Sequence, residues 1–246
     1  MALILIVMMG IVVELLISWL LLKLILKQNL EALGFKPNGE RLTALLAGLF
    51  WPVVYVGLFE YSVSLLVHNP YLLNPNYNLK AFWNASAYIF RSVAYEDLIF
   101  RGALLYILIK KLGAQKAVWI SAIAFGIYHW FSWSLFGNPV QMAIVFLMTG
   151  AGGYVFALAF EKTRSVYLPF ALHFGIDFAN MVLFSQDKGM GRQVLIKAFE
   201  KDPVSPGSFI SIIVLAINFT GFPLLTWLLL WKMKRHPLST NDQPHH

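Results

Sequence analysis

Seven runs of about 20 mostly apolar residues, separated by short connections that hold most of the lysines and arginines, constrain this chain more than any other feature. A bilayer core is about 30 Å thick, and a helix rising about 1.5 Å per residue crosses it in about 20 residues. The runs are Leu3–Ile25, Leu42–Val67, Asn84–Ile109, Ala117–Phe136, Val140–Phe160, Val166–Phe184 and Phe209–Trp231. Only 13% of the 246 residues are charged, against about 25% in a soluble domain, so there is too little charge to cover a water-facing surface. That excludes an ordinary cytosolic domain and a disordered chain. The absence of cysteine excludes a disulfide-stapled scaffold, thiol nucleophiles and thiolate zinc sites. The net charge of +7 is no footprint of nucleic acid, because the cations sit between apolar blocks, where they set topology. The fold class expected is all-α: a polytopic membrane bundle of seven or eight transmembrane helices enclosing a polar cavity, one domain over residues 1–246.

The first run lacks the basic start, short apolar stretch and small-residue cleavage site of a signal peptide, and ends on Lys23 and Lys27 as a membrane span does. Counting cations, Lys27, Lys36 and Arg41 follow the first run, and Lys80 alone follows the second. Lys110, Lys111 and Lys116 follow the third, none the fourth, and Lys162 and Arg164 the fifth; Lys232, Lys234 and Arg235 lie in the tail. This alternation predicts an outer N-terminus and a cytoplasmic C-terminus, as in a prokaryotic inner membrane. The connection Gln186–Ser208 departs from it, with Lys188, Arg192, Lys197 and Lys201 on the outer side beside Asp187, Glu200 and Asp202. Its apolar residues Val194–Ile196 and Ala198-Phe199 suggest an interfacial helix. His68–Asn78, rich in Asn and Pro, reads as a loop, Pro237–His246 as a frayed tail, and Thr149–Gly153 as a close helix-packing face.

Ionisable side chains at depth carry the functional signal, because a charge at mid-bilayer costs about 2.5–3.5 kcal/mol and normally faces a partner or a wet cavity. The third run holds Glu96, Asp97 and Arg101, the fourth Phe125 and His129, the sixth His173, Asp177 and Asn180. Asp97 and Arg101 stand at i,i+4 and form a pair, read here as structural. Glu96, turned about 100° from Asp97, is left without an intrahelical partner at ideal spacing and resembles a tuned general base. His173 and Asp177 share a helix face at the same spacing. Glu96 and His129 lie roughly 18 Å into their runs and His173 roughly 10 Å, so one central layer can collect a carboxylate and two imidazoles. Glu14, Glu60 and Arg91 read as packing, interface or topology residues; His68, His236, His245 and His246 receive no role.

These residues resemble the motifs of the CPBP family of intramembrane proteins, which includes CaaX prenyl endopeptidases and bacteriocin-processing and self-immunity proteins. The family pattern is Glu-Glu-x-x-x-Arg, Phe-x-x-x-His and His-x-x-x-Asn/Asp in that order on separate helices. This chain has Glu96-Asp97-x-x-x-Arg101, Phe125-x-x-x-His129 and His173-x-x-x-Asp177, inside a motif-bearing core of about residues 84–184. Phe100-Arg101-Gly102 and Leu168-Pro169 also resemble family sequences. The resemblance implies a glutamate-type endopeptidase acting on a membrane-associated, lipidated or sorting-tagged protein or peptide. Glu96 would activate water, His129 would help to orient it, and His173 with Asp177 would stabilise the oxyanion. Asp97, Arg101, Phe125 and Asn180 would support them.

Two positions depart from the pattern: Asp97 stands for the second Glu, and Asp177 for the Asn of prenyl-protein endopeptidases. An ionised Asp177 accepts but cannot donate to an oxyanion. It must therefore be protonated, hold His173 as imidazolium, or yield the donor's place to Asn180. No His-Glu-x-x-His, Gly-x-Gly-Asp or Gly-x-Ser-x-Gly motif is present. No cofactor is expected. Alternatives are a zinc site built from the two His and the carboxylates, a non-catalytic membrane partner or immunity protein, and a proton-relay transporter.

Overall fold

The computed structural model describes residues 2–184 and 193–234, and of residues 2–8 the backbone only. Asp187, Lys188, Arg192, Arg235, His236 and the tail 237–246 lie outside the described residues. The helices are α1 (Ala2–Leu26), α2 (Gly39–Leu66), α3 (Leu79–Arg101), α4 (Ala103–Leu112), α5 (Ala114–Ser132), α6 (Pro139–Thr163), α7 (Tyr167–Phe178) and α8 (Ser208–Lys232). Three of them start on the same device. Asn38, Asn78 and Asn138 each accept the backbone N–H three residues on, satisfying an orphan donor at the N-terminus of α2, α3 and α6.

Among the described residues four helices are long and apolar enough to cross a membrane, over Met9–Leu26, Gly39–Leu66, Pro139–Thr163 and Ser208–Lys232. Large apolar side chains such as Leu16, Phe50, Leu147 and Ile212 stand exposed on them, which suits an integral membrane protein whose solvent is lipid. Two of the other predicted runs are divided. The run Asn84–Ile109 is two helices, because the chain breaks at Gly102 between α3 and α4. A Cβ at Gly102 would strike the Leu98 carbonyl oxygen, so only glycine fits the junction. The break frees carbonyls at the end of α3, and the Ser121 hydroxyl on α5 donates to one of them, that of Phe100, at 2.9 Å. Beyond it, α4 turns Leu105, Tyr106 and Ile109 into a core with Leu22, Leu33, Ala117 and Phe160. The run Val166–Phe184 is also divided, into α7 and a π-helical turn over Ala179–Leu183.

The predicted interfacial helix in the connection before α8 is instead a strand. β2 (Leu195–Lys197) pairs antiparallel with β1 (Tyr71–Leu73), inside the stretch read as a loop, with Tyr71 opposite Lys197. Alternating register, invisible in so short an apolar run, decides between the two. Three side chains tie this strand pair to the bundle. The Tyr71 hydroxyl donates to Glu60 Oε2 at 2.6 Å, and Lys197 Nζ lies 3.9 Å from the same oxygen and 4.3 Å from the Tyr71 ring centroid. Burial pushes the Lys197 ammonium below the usual lysine range, opposed by Glu60 and Asp202. Asn69 adds hydrogen bonds to the Phe199 backbone and Asp202.

Gly102→Ala is expected to destabilise the protein in detergent by about 1–3 kcal/mol, because its Cβ would run into the Leu98 carbonyl oxygen, read as a lower melting midpoint. Glu60→Gln is expected to cost about 1–3 kcal/mol, because it weakens two charge-assisted contacts at a buried position; an unchanged melt would show that the strand pair does not depend on them.

Candidate active site

Helices α3, α5 and α7 bring the motif residues together, and close backbone approaches hold those helices in place. On one side α7 lies against α2: a Cβ at Gly48 would sit 2.7 Å from Ala171 Cβ, and one at Gly175 would sit 3.0 Å from Pro52 Cγ. On the other, α5 lies against α6: a Cβ at Gly153 would sit 2.9 Å from Phe125 Cδ1, and one at Gly126 would sit 2.7 Å from Phe146 Cδ2. The glycines within Thr149–Gly153 therefore set the depth of Phe125 beneath the site.

The centre of the site is His173. Its Nδ1 is 3.1 Å from Asp97 Oδ1, and its Nε2 is 3.8 Å from Glu96 Oε2 and 3.6 Å from Asp177 Oδ2. The ring stacks on Phe156, with centroids 4.8 Å apart. Asp97 Oδ1 also accepts from Arg101 Nη1 at 2.9 Å. This pair belongs to the site as well as to α3, because one Asp97 oxygen serves both Arg101 and His173. A carboxylate paired with a guanidinium accepts only, so the hydrogen between Asp97 and His173 is on Nδ1 and the Nε2 atom is turned to Glu96 and Asp177.

Arg101 is fully buried, and its Nε and Nη2 have no hydrogen-bond partner. Aromatic faces take their place. The guanidinium carbon stands 3.9 Å from the Phe125 ring centroid and 5.2 Å from that of Phe156. Phe125 thus has two tasks. Its ring covers Arg101, and its carbonyl accepts from His129 Nδ1 at 2.8 Å. Since a carbonyl cannot donate, Nδ1 of His129 carries the hydrogen, and Nε2 of the neutral ring is left as an acceptor. The His129 ring packs edge-on to Phe125 at 4.6 Å, and Phe125 meets His173 at 5.5 Å.

The structure brings together Glu96, Asp97, Arg101, His173 and Asp177 directly, and His129 through the shared ring of Phe125. Asn180 is placed differently: its amide donates to the Ile176 carbonyl at 2.9 Å, within its own helix. Glu96 has an intrahelical partner after all, the Ser92 hydroxyl at 3.4 Å, a neutral i−4 neighbour that a search for charged pairs passes over. Phe156 was missed entirely, since one aromatic in an apolar run carries no signal of what it stacks on. Among the described residues no group of three or more His, Asp or Glu is arranged to hold a metal ion. The Asp177 side chain is 37% exposed against 15% for Glu96 and 6% for His173, so the site opens on the Asp177 side.

Residues 78–179 match the family model of the type II CAAX prenyl endopeptidase Rce1-like proteins. The matched segment is similar to that family and spans less than half of the chain. The match begins at Asn78, the cap of α3, and ends where α7 gives way to the π-helical turn, so it contains every helix that supplies a side chain to the site. No curated protein and no solved structure matches the chain. The Rce1-like match and the four apolar helices support a CAAX-type protease of the membrane. Gly153→Val is expected to push Phe125 off Arg101 and to destabilise the folded protein by about 1–3 kcal/mol, read as a lower melting midpoint in detergent.

Proposed function

We propose that this chain is an intramembrane endopeptidase that hydrolyses a peptide bond by glutamate-activated water. The observation that carries the reading is the approach of a partly exposed Glu96 carboxylate to His173 Nε2 at 3.8 Å, inside an Rce1-like segment. Glu96 takes a proton from water as the oxygen attacks the scissile carbonyl. His129, neutral and with Nε2 free to accept, orients that water from α5. The tetrahedral oxyanion is stabilised by His173, which carries hydrogen on both ring nitrogens. Of the three roles open to Asp177, holding His173 as imidazolium is supported by its Oδ2 at 3.6 Å from Nε2. Asn180, donating within its own helix, is not needed as the oxyanion donor.

The substrate is a membrane-associated protein or peptide, lipidated or bearing a sorting tag, cut within one domain whose core is about residues 84–184. The cation pattern supports a prokaryotic inner membrane with the N-terminus outside. The two departures, Asp97 and Asp177, favour one competing reading: a non-catalytic immunity or partner protein built on the same scaffold.

Cleavage in liposomes of a prenylated CaaX peptide, a leader peptide and a membrane-anchored sorting-tag protein tests these readings. Wild type is expected to cut at least one of them, with Glu96→Ala and His129→Ala each reducing turnover about 10²–10⁴-fold while the folded protein persists. Full activity in both variants would overturn the proposal. Loss on adding a chelator, restored by zinc, would make the carboxylate and histidines zinc ligands instead. Cellular function retained in both variants, with no cleavage by wild type, would favour the non-catalytic reading.

A further inference from the structure

The geometry points to a second role for His173: it delivers the proton that the leaving amine needs, and Asp97 is the positioning residue that sets it up to do so. This inference rests on the glutamate-protease reading above. An amide nitrogen leaves poorly as an anion, so C–N cleavage requires a proton donor on the leaving side. Glu96 begins the reaction as a base and holds the water's proton, while His129 Nδ1 is committed to the Phe125 carbonyl. His173 alone has a nitrogen facing the reacting groups that is backed, through its other nitrogen, by a buried anion.

The groups around the imidazole come from three helices. Glu96, Asp97 and Arg101 face it from α3, Asp177 from its own α7, and Phe156 stacks on it from α6. Asp97, pinned by Arg101, accepts from Nδ1 and orients the ring, as a buried carboxylate orients a catalytic histidine in hydrolases of other folds. The Nε2 atom then lies between Glu96 Oε2 at 3.8 Å and Asp177 Oδ2 at 3.6 Å, within reach of one carboxyl that has just gained a proton.

The sequence of transfers balances. A water O–H bond breaks and its proton goes to Glu96, while the new C–O bond forms and the carbonyl becomes an oxyanion facing the Nε2–H of His173. The C=O bond reforms as C–N breaks, and the departing nitrogen takes the Nε2 proton. Glu96 then returns its proton to Nε2, leaving one carboxylic acid, one amine and the enzyme as it began. The pair Asp97–Arg101, read from the sequence as structural, thus acts on catalysis through His173 without touching substrate.

The test uses two forms of one probe, a prenylated CaaX peptide with its scissile amide intact and the same peptide carrying a 4-nitrophenyl ester at that carbonyl. Nitrophenolate leaves without a proton, whereas an amine does not. Full-length protein in liposomes is compared as wild type, Glu96→Gln, His173→Gln, Asp97→Asn and Asp97→Glu. Glu96→Gln is expected to lose both reactions. His173→Gln and Asp97→Asn are expected to lower kcat on the amide about 10²–10³-fold, and on the ester at least tenfold less, with KM little moved. Asp97→Glu should restore much of the amide activity. Equal losses on amide and ester would overturn the proton-delivery role and leave His173 as an oxyanion donor, with the glutamate reading intact. Amide cleavage by Glu96→Gln at the wild-type rate would instead bring down the glutamate reading and this inference with it.

Discussion

A guanidinium with no access to solvent, at the C-terminal end of a helix inside an apolar bundle, is the constraint around which the rest of this structure is arranged. Taking a charge out of water costs several kcal/mol even after relaxation, and one ion pair seldom repays it. Arg101 meets that cost with two kinds of contact. Asp97 accepts from Nη1, and the faces of Phe125 and Phe156 lie against the cation. Gly102 ends α3 directly after it.

That arrangement fixes the His173 imidazole indirectly. Asp97 is occupied on one oxygen by Arg101 and His173 together, so His173 can turn only by giving up a hydrogen bond to a buried anion. Phe156, under both the cation and the imidazole, bars the ring from tilting away. On the far side Phe125 joins Arg101 to His129, which explains in physical terms why a phenylalanine precedes that histidine by one helical turn: its carbonyl selects the tautomer and its ring covers the cation. Glycines on α2, α5, α6 and α7 bring these four backbones close enough for side chains of ordinary length to meet.

The strand pair β1–β2 stands apart from this chemistry but touches the same element. Leu195 bridges to Phe184, directly after the π-helical turn that continues α7. π-Helical turns are uncommon and recur at functional sites, where the extra residue per turn shifts the side chains that follow. Here the turn brings Phe184 beside the strand pair, whose Lys197 is buried against Glu60.

Much of this was legible from residue order alone. Apolar runs with cations between them require a membrane helix protein, because no soluble surface can be made from them. Helical periodicity puts Asp97 with Arg101 and His173 with Asp177, since i,i+4 neighbours share a face whatever the tertiary fold. The motif order likewise selected the segment that matches the Rce1-like family model. Tertiary structure alone decided which nitrogen of His173 meets which carboxylate, that Asp97 serves His173 as well as Arg101, and that Asn180 turns back on its own helix. It also divided the third run at Gly102 and made a strand of the expected interfacial helix. The physical reason is range: periodicity reports contacts within one helix. Those that set the His173 imidazole against Asp97, or pair Tyr71 with Lys197, join residues that only the packing of separate helices and strands brings together.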